Sequence, residues 1–397
     1  MASLKLTHVY GLHQFITELW QAPRHRRLGS LAATVAAVVI SLLICSSQCL
    51  SVTAASAAAG ASSRGGEGNY SALCAVGRNE NRYVKEWVDY HKCLGFSRIY
   101  LYDHGSTVPM SEQLKGHIAS GFLTYVNFSA AHRKFQEGYT SDLDRFMSTV
   151  QGQAYKHCVD TWGGRHTFIG FIDLDEFMVL YDPGVRSVNN LLRDYEQHPG
   201  LSIYWVLLGS SGHTTRPQAP VVESYTACTP HDHKFNTQFK TFVNTRFKPT
   251  MYSPHRAVFN ASSSSSAAAA NAAAAGSSPD GGLEPYMVNE HRQRIARGRN
   301  KYSTHERAAI FHYVTKSLED FSEKMNRGGG AGVTRPKYYF TLMDRYSKAT
   351  CDGALATRAR FCGVPVPAAV QAKLDEAAAK GKTGRRRAGA KLKVKPA

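Results

Sequence analysis

Three acids follow five apolar residues in Phe168-Ile-Gly-Phe-Ile-Asp173-Leu-Asp175-Glu176-Phe177. A run of this kind reads as a buried strand, and carboxylates spaced i, i+2 at its end lie on one side of an extended chain. Like charges so close repel, and they stay ionised at neutral pH most easily with a cation between them. Oxygen donors suit Mg²⁺ or Mn²⁺, so Asp173 and Asp175 are the first candidates for metal ligands. Capping of the following turn accounts for one acid better than for three. Two chemistries use a strand ending in Asp-x-Asp. A metal-dependent phosphatase with an aspartyl nucleophile continues the pattern to Thr or Val, where this chain has Phe177. In sugar-nucleotide transfer the acids hold a divalent ion that bridges a diphosphate.

The elements that must position these acids alternate strand and helix. Ser71 to Val76 reads as a strand. Asn81 to Leu94 places Val84, Trp87, Val88, His91 and Leu94 on one helical face, and Arg98 to Tyr102 is again a strand. That is a βαβ unit with parallel strands. A helix over Ser141 to Asp160, the strand Thr167 to Ile172 and further strands at Ile203 to Leu208 and Phe239 to Val243 complete the expectation. The fold class is α/β, Rossmann-like, with a mostly parallel central sheet and flanking helices, whose ligands sit at the carboxyl ends of the strands. The loops Arg78-Asn79-Glu80 and Asp103-His104-Gly105-Ser106 share that edge with Asp173. Arg78, Glu80 and Asp103 are therefore candidates for contacts to a base or ribose; for Glu80 the alternative is a first-turn acid favoured by the helix dipole. No G-x-G-x-x-G follows either strand, and Gly381-Lys382-Thr383 is no phosphate loop because Glu376 stands where its first glycine belongs.

In 397 residues, 48 Lys+Arg against 30 Asp+Glu give a net charge of +18, while 43% hydrophobic residues exclude a wholly disordered chain. Nine of the Lys and Arg lie in Pro367 to Ala397, so a uniformly basic surface is not required and no nucleic-acid partner is expected. Arg24 to Arg27 precede the uncharged run Leu31 to Cys45, and no charge follows until Arg64. This predicts a cytoplasmic tail at 1–30, a transmembrane signal anchor at 31–53 and a lumenal remainder. The rivals are a secretory signal cleaved within Ala54 to Ala61 and a chloroplast transit peptide. Residues 54–69 read as a flexible stem. Cys74, Cys93, Cys158, Cys228, Cys351 and Cys362 form an even set compatible with disulfides whose pairing cannot be read, and no C-x-x-C suggests zinc. Asn69, Asn127 and Asn260 open glycosylation triplets. The body is expected over 70–365, with a low-complexity surface insertion at 260–282, a shorter one at Gly328 to Gly332, and a basic, disordered tail at 366–397.

Ala75-Val-Gly-Arg-Asn-Glu-Asn-Arg-Tyr-Val-Lys-Glu-Trp-Val-Asp-Tyr-His91, Leu94-Gly-Phe, Tyr102-Asp-His-Gly-Ser106, Phe171-Ile-Asp-Leu-Asp-Glu-Phe177, Gly209-Ser-Ser-Gly-His213 and His312-Tyr-Val-Thr-Lys316-Ser317, in this order, resemble glycosyltransferase family 92 from about Ala72 to Arg327. The resemblance implies a GT-A fold and metal-dependent, inverting transfer, usually of galactose from UDP-galactose to a glycan or glycoprotein acceptor. It also implies a single-pass type II enzyme of the Golgi membrane. On this footing Asp173 and Asp175 match the metal site, and Glu80 and Asp103 the surroundings of base and ribose. Gly209, Ser210, Ser211 and Gly212 match a loop near donor and acceptor, where close backbone approach needs small residues. Such enzymes often add a histidine from the carboxyl side, for which His255 and His312 both fit. Inversion needs a carboxylate base, assigned to Glu223 with Asp232 in reserve. Lys240, Arg256 and Lys316 are candidates for phosphate contacts, and Ser317-Leu-Glu-Asp320 reads as a structural helix cap. The 260–282 insertion lies between the two histidines and leaves the acceptor open. The non-enzymatic alternative is a membrane-tethered protein that binds polyanions through its basic tail.

Overall fold

Ser71–Gly77 (β1) carries the run Ala-Leu-Cys-Ala-Val and is buried through most of its length, as befits a strand covered on both faces in a parallel sheet. The computed structural model describes residues 69–129, 141–259, 287–295, 302–328 and 335–376. The expected anchor, nearly all of the stem, the low-complexity insertion and the chain after 376 lie outside these residues. Met1–Ser63 and Arg64–Ala397 form two units, and everything described belongs to the second. Among the described residues no helix is long and apolar enough to cross a membrane.

β1 pairs in parallel with Arg98–Asp103 (β2), which pairs in parallel with Leu123–Asn127 (β3). On its other side β1 takes Phe168–Phe171 (β4), again in parallel. Glu176–Leu180 (β5) leaves this sheet; Gly200–Leu207 (β6), Ala227–Cys228 (β7) and Phe239–Asn244 (β8) follow. β8 lies between β4 and β6 and runs antiparallel to both. Pro249–Met251 (β9) and Ala257–Phe259 (β10) form a separate hairpin, while Met287–Val288 (β11) and Arg294–Ile295 (β12) extend the main sheet beyond β6. Ala308–His312 (β13) pairs in parallel with β6 and antiparallel with β5; Ala349–Thr350 (β14) pairs with β7. The expected α/β class stands, but the sheet is mixed, parallel over β3-β2-β1-β4 and interrupted by β8. Hydrophobic periodicity carries no information on strand direction. The consequence is local: β8 begins at the edge where β1, β2 and β4 end, and delivers Lys240 there.

The first helix, Asn81–Cys93, buries the face read from its spacing: Val84, Trp87, Val88 and His91 have no exposed surface. That face closes the second edge of β5. Trp87 Nε1 donates to the Glu176 carbonyl at 2.8 Å, Tyr90 OH donates to the Met178 carbonyl at 2.9 Å, and His91 Nε2 accepts from Met178 N at 3.3 Å. An edge strand thus finds its partners in helix side chains. The helix expected over Ser141 to Asp160 is two helices, Asp142–Met147 and Val150–Trp162. Thr149 caps the second through Gly152 N, and a side chain at Gly152 would strike the Phe146 carbonyl. Disulfides join Cys74 to Cys158 and Cys228 to Cys351. The body also runs past its expected end: residues 368–376 are helical, and Val366, Val370 and Leu374 pack on the core.

Buried histidines make this fold acid-sensitive. Burial holds His91 down to about 3 and His166 down to about 4, each against a backbone carbonyl that pulls the other way. The unfolded chain protonates both near pH 6.5 and then binds more protons than the fold, so stability present above that pH is lost as pH falls. The loss reaches about 1.4 kcal/mol per pH unit for each histidine. Urea midpoints should decline from pH 6.5 to 5, and His91→Gln should flatten the decline by one proton; an unchanged slope in that variant would count against it.

Candidate functional site

The acids do not lie along an extended strand. β4 ends at Phe171, and Asp173 to Glu176 form a turn, closed by Glu176 N on the Asp173 carbonyl at 3.0 Å, that leads into β5. Each carboxylate meets its own cation. Asp173 Oδ2 accepts from Lys240 Nζ at 2.7 Å, and its Oδ1 accepts from Gln151 Nε2 at 2.9 Å. Lys240 is completely buried and also lies 3.3 Å from Glu176. Asp175 is paired with Lys324 of the helix Leu318–Arg327, and His312 Nε2 stands 3.6 Å from its Oδ2. His312 Nδ1 faces Glu176 Oε1 at 3.7 Å. Burial by itself would raise Asp175, but Lys324 and His312 outweigh it and hold the carboxyl well below the usual range. Burial pushes Glu176 well up, opposed by Lys240 and reinforced by Asp173 and Asp175. His312 is held low by burial in spite of Asp175, and so is a neutral imidazole.

Beside this turn, at the ends of β1 and β13, a small cavity is lined by Glu80, Tyr83, Arg216, Lys316, Lys324 and Arg327, among others. Its cations outnumber its acids. Glu80 is paired with Arg327 and lies 4.0 Å from Lys316. Lys316 sits 4.3 Å over the Tyr83 ring and is held at φ 53°, in the left-handed region that costs an L residue about 1–2 kcal/mol. Asn79, at φ 55°, turns the chain on the facing wall. Such strain persists only where the surroundings enforce it. Here the capping box of Ser317 and Asp320 does so, together with Tyr83, whose hydroxyl donates to Asp320 at 2.6 Å. A far larger cavity, about 730 Å³, opens at the opposite end of the sheet among Tyr70, Arg193, Glu196 and Arg246. It is remote from the acid turn.

Of the residues read from sequence, the structure gathers Asp173, Asp175, His312, Lys240, Glu80 and Lys316 at one edge. Lys240 serves there as the counter-charge beneath the acids, with no surface left for a ligand. His255 lies behind the cluster: its Nδ1 bonds the Phe239 carbonyl at 2.8 Å, and burial, with Lys240, holds it down to about 3. Both oxygens of Asp103 are spent on structure, accepting from Ser106 N and Met110 N of its own loop and from Tyr125 OH of β3. Arg78 is an exposed bend residue just after β1, and Arg256 stacks on Tyr252. The small residues of the 209–212 loop admit a different neighbour from the one expected. Ser210 N and Oγ donate to Asp344, and a side chain at Gly209 would meet Asp344 at 2.7 Å. Ser211 takes φ 52° so that its Oγ accepts from Thr226 N and Ala227 N. Glu223 is paired with Arg358, Asp232 is an exposed turn residue, and neither lines the cavity beside Lys316. Lys324, Arg327, Gln151 and Asp344 went unread in the sequence. Only the spacing of Lys324 and Arg327, on one face of a helix just after Lys316, gives a signal for them.

Residues 72–273, just over half of the chain, match the family model described as Glycosyltransferase family 92. A family 92 protein of Oryza sativa subsp. japonica is 28% identical over 167 residues, which cover 41% of this chain and 26% of that protein. One from Ricinus communis is 28% identical over 120 residues, 30% of this chain and 18% of that protein. One from Arabidopsis thaliana is 22% identical over 180 residues, 41% of this chain and 27% of that protein. The matched stretch thus spans roughly a quarter or less of each of these relatives. Among solved structures, S. aureus TarS 1-349 covers 45% of this chain and 48% of its own at 12% identity and a TM-score of 0.24. The same protein in complex with UDP covers 45% and 47% at 10% identity and a TM-score of 0.26.

Lys240 has a measurable role in holding the turn. Lys240→Met leaves Asp173 and Glu176 facing each other without a buried cation and should cost about 3–5 kcal/mol in urea unfolding. Lys240→Met with Glu176→Gln should recover part of that loss. A single variant as stable as the parent would contradict the assignment.

Proposed function

We propose, from the fact that the chain belongs to glycosyltransferase family 92, that it transfers a hexose from a UDP-sugar, galactose being the first choice, to a glycan acceptor with inversion. The observation that carries this reading is the acid turn at the carboxyl edge of the sheet standing against a cavity walled by Lys316, Lys324 and Arg327. Carboxylates suit a hard cation, and the cations suit a diphosphate.

Of the expected ligands, Asp175 and His312 are the pair that would receive Mn²⁺ or Mg²⁺, although the one three-ligand grouping among the described residues lies elsewhere, at Glu290, His291 and Glu306. Asp175 is ionised, His312 is neutral, and their facing atoms are close enough to share one ion. His312 Nδ1 and Glu176 Oε1 face each other at 3.7 Å, neither atom having a hydrogen-bond partner; a small approach on metal binding would let Glu176 orient the ring as ligand histidines usually are. Asp175 and His312 would hold the ion, with Asp173 steadied beside them by Lys240 and Gln151. When bound, the ion supplies charge stabilisation to the departing diphosphate. The chain's own part is to grip that diphosphate with Lys316, Lys324 and Arg327 and to keep these cations in place before reaction, which is where preorganised charge lowers a barrier most. Asn79 and Glu80, on the facing wall, border the ribose. The anchor expected at 31–53 from the uncharged run, and the acceptor triplets at Asn69 and Asn127, both exposed, are what a type II enzyme of the Golgi membrane would carry.

A donor screen with UDP- and GDP-sugars on the detergent-solubilised full chain, read as released nucleotide, tests the proposal. UDP-galactose with Mn²⁺ should give the highest rate, chelator should remove it, and Asp175→Asn should lower it at least about 10³-fold. Lys316→Ala should weaken UDP binding about 10- to 100-fold in calorimetry, the worth of a charge-assisted contact. Turnover indifferent to chelator, or UDP affinity unmoved by Lys316→Ala, would sink the scheme.

A further inference from the structure

Two cysteines remain after the Cys74–Cys158 and Cys228–Cys351 bridges among the described residues, Cys93 and Cys362, and both are half-buried. Their places in the fold are related. Cys93 is the last residue of the first helix, Asn81–Cys93, and Cys362 is the last residue of the helix Gly353–Cys362. These helices pack on each other. Cys362 lies within electrostatic reach of Asp89 and Tyr90 near the end of the first helix, and its thiol neighbours that of Cys93. The two residues stand 269 positions apart in the chain and are brought together by the fold.

We propose that Cys93 and Cys362 form a third disulfide in the mature protein, a covalent staple between the first helix of the body and the helix Gly353–Cys362. The bond forms by exchange with an oxidised protein disulfide. One thiolate attacks a sulfur of the donor to give a mixed disulfide. The second thiolate then displaces the donor as a dithiol, so that two electrons and two protons leave the cysteine pair. The staple bears on the site through β5. Thr357 of the stapled helix accepts from Leu180 N at the far end of that strand, and Arg358 holds Glu223. With this bond every described cysteine is oxidised, as in proteins that mature in an oxidising compartment. The inference is independent of the donor sugar and of the metal.

The test is peptide mapping of the full chain made through a eukaryotic secretory route, with free thiols blocked by iodoacetamide at lysis in denaturant and no reductant added. The Cys93 and Cys362 peptides should appear as one joined species that separates on reduction. Recovering both as singly alkylated peptides overturns the proposal, and so does either cysteine joined to a different partner. In a Cys362→Ser variant treated in the same way, Cys93 should become fully alkylated; Cys93 that stays blocked there also overturns it.

Discussion

An ammonium group with no contact to water lies under the acid turn, and the rest of the site depends on it. Removing a lysine from solvent is costly, and so is removing a carboxylate; each becomes tolerable only beside the other. Lys240 is met by Asp173 and Glu176 on one side, while Lys324 and His312 meet Asp175 on the other. The turn is thus held between two layers of positive charge, one fixed inside the sheet and one on a helix at the cavity wall. Buried charge of this kind seldom adds net stability against an apolar substitute. What it secures is geometry, since each carboxylate has one low-energy direction to point.

The placement of Lys240 follows from strand direction. In the parallel part of the sheet, residues at the working edge come from strand ends, as Asp103 and Asp173 do. β8 runs the other way and contributes its second residue to the same edge. A wholly parallel sheet would put that residue at the opposite rim, beside the large cavity among Tyr70, Arg193 and Glu196. The small-residue loop at 209–212 plays a comparable part outside the sheet. By admitting Asp344 against its backbone it ties the helix Tyr338–Tyr346 to the end of β6.

Much of this was legible in the sequence, for identifiable reasons. β1, β2, β4 and the first helix declare themselves because burial on both faces demands continuous apolar runs and a one-faced helix shows its period. Asp173, Asp175, His312 and Lys316 stand out because acids and bases at strand ends need a reason to be there. Strand direction, by contrast, leaves no trace in periodicity, so β8 reads as one more parallel strand. The helix break at Ser148 was hidden because Thr149 and Gly152 are individually ordinary and act only together. Lys324 and Arg327 look like the solvated face of any amphipathic helix until tertiary packing aims them at Asp175 and Glu80. Glu223 and Asp232 satisfied a chemical need on paper, and distance from the cavity is something no local pattern reports. The cap at Ser317 and Asp320 was readable as a cap; that Asp320 also receives Tyr83 and Arg216 was not.

The order in which the chain visits the working edge limits how the protein can be dissected. Glu80, Asp173 and Lys240 arrive before residue 273, but His312, Lys316 and Lys324 arrive after it. A recombinant fragment trimmed to the stretch shared with relatives would keep the negative half of the site and discard most of the positive half. It would also leave β5 without β13, its hydrogen-bonded neighbour. An autonomous piece must therefore reach from β1 at least through Leu374, the last described residue packed on the core, and deletion mapping that stops earlier would mistake loss of the fold for loss of a reaction.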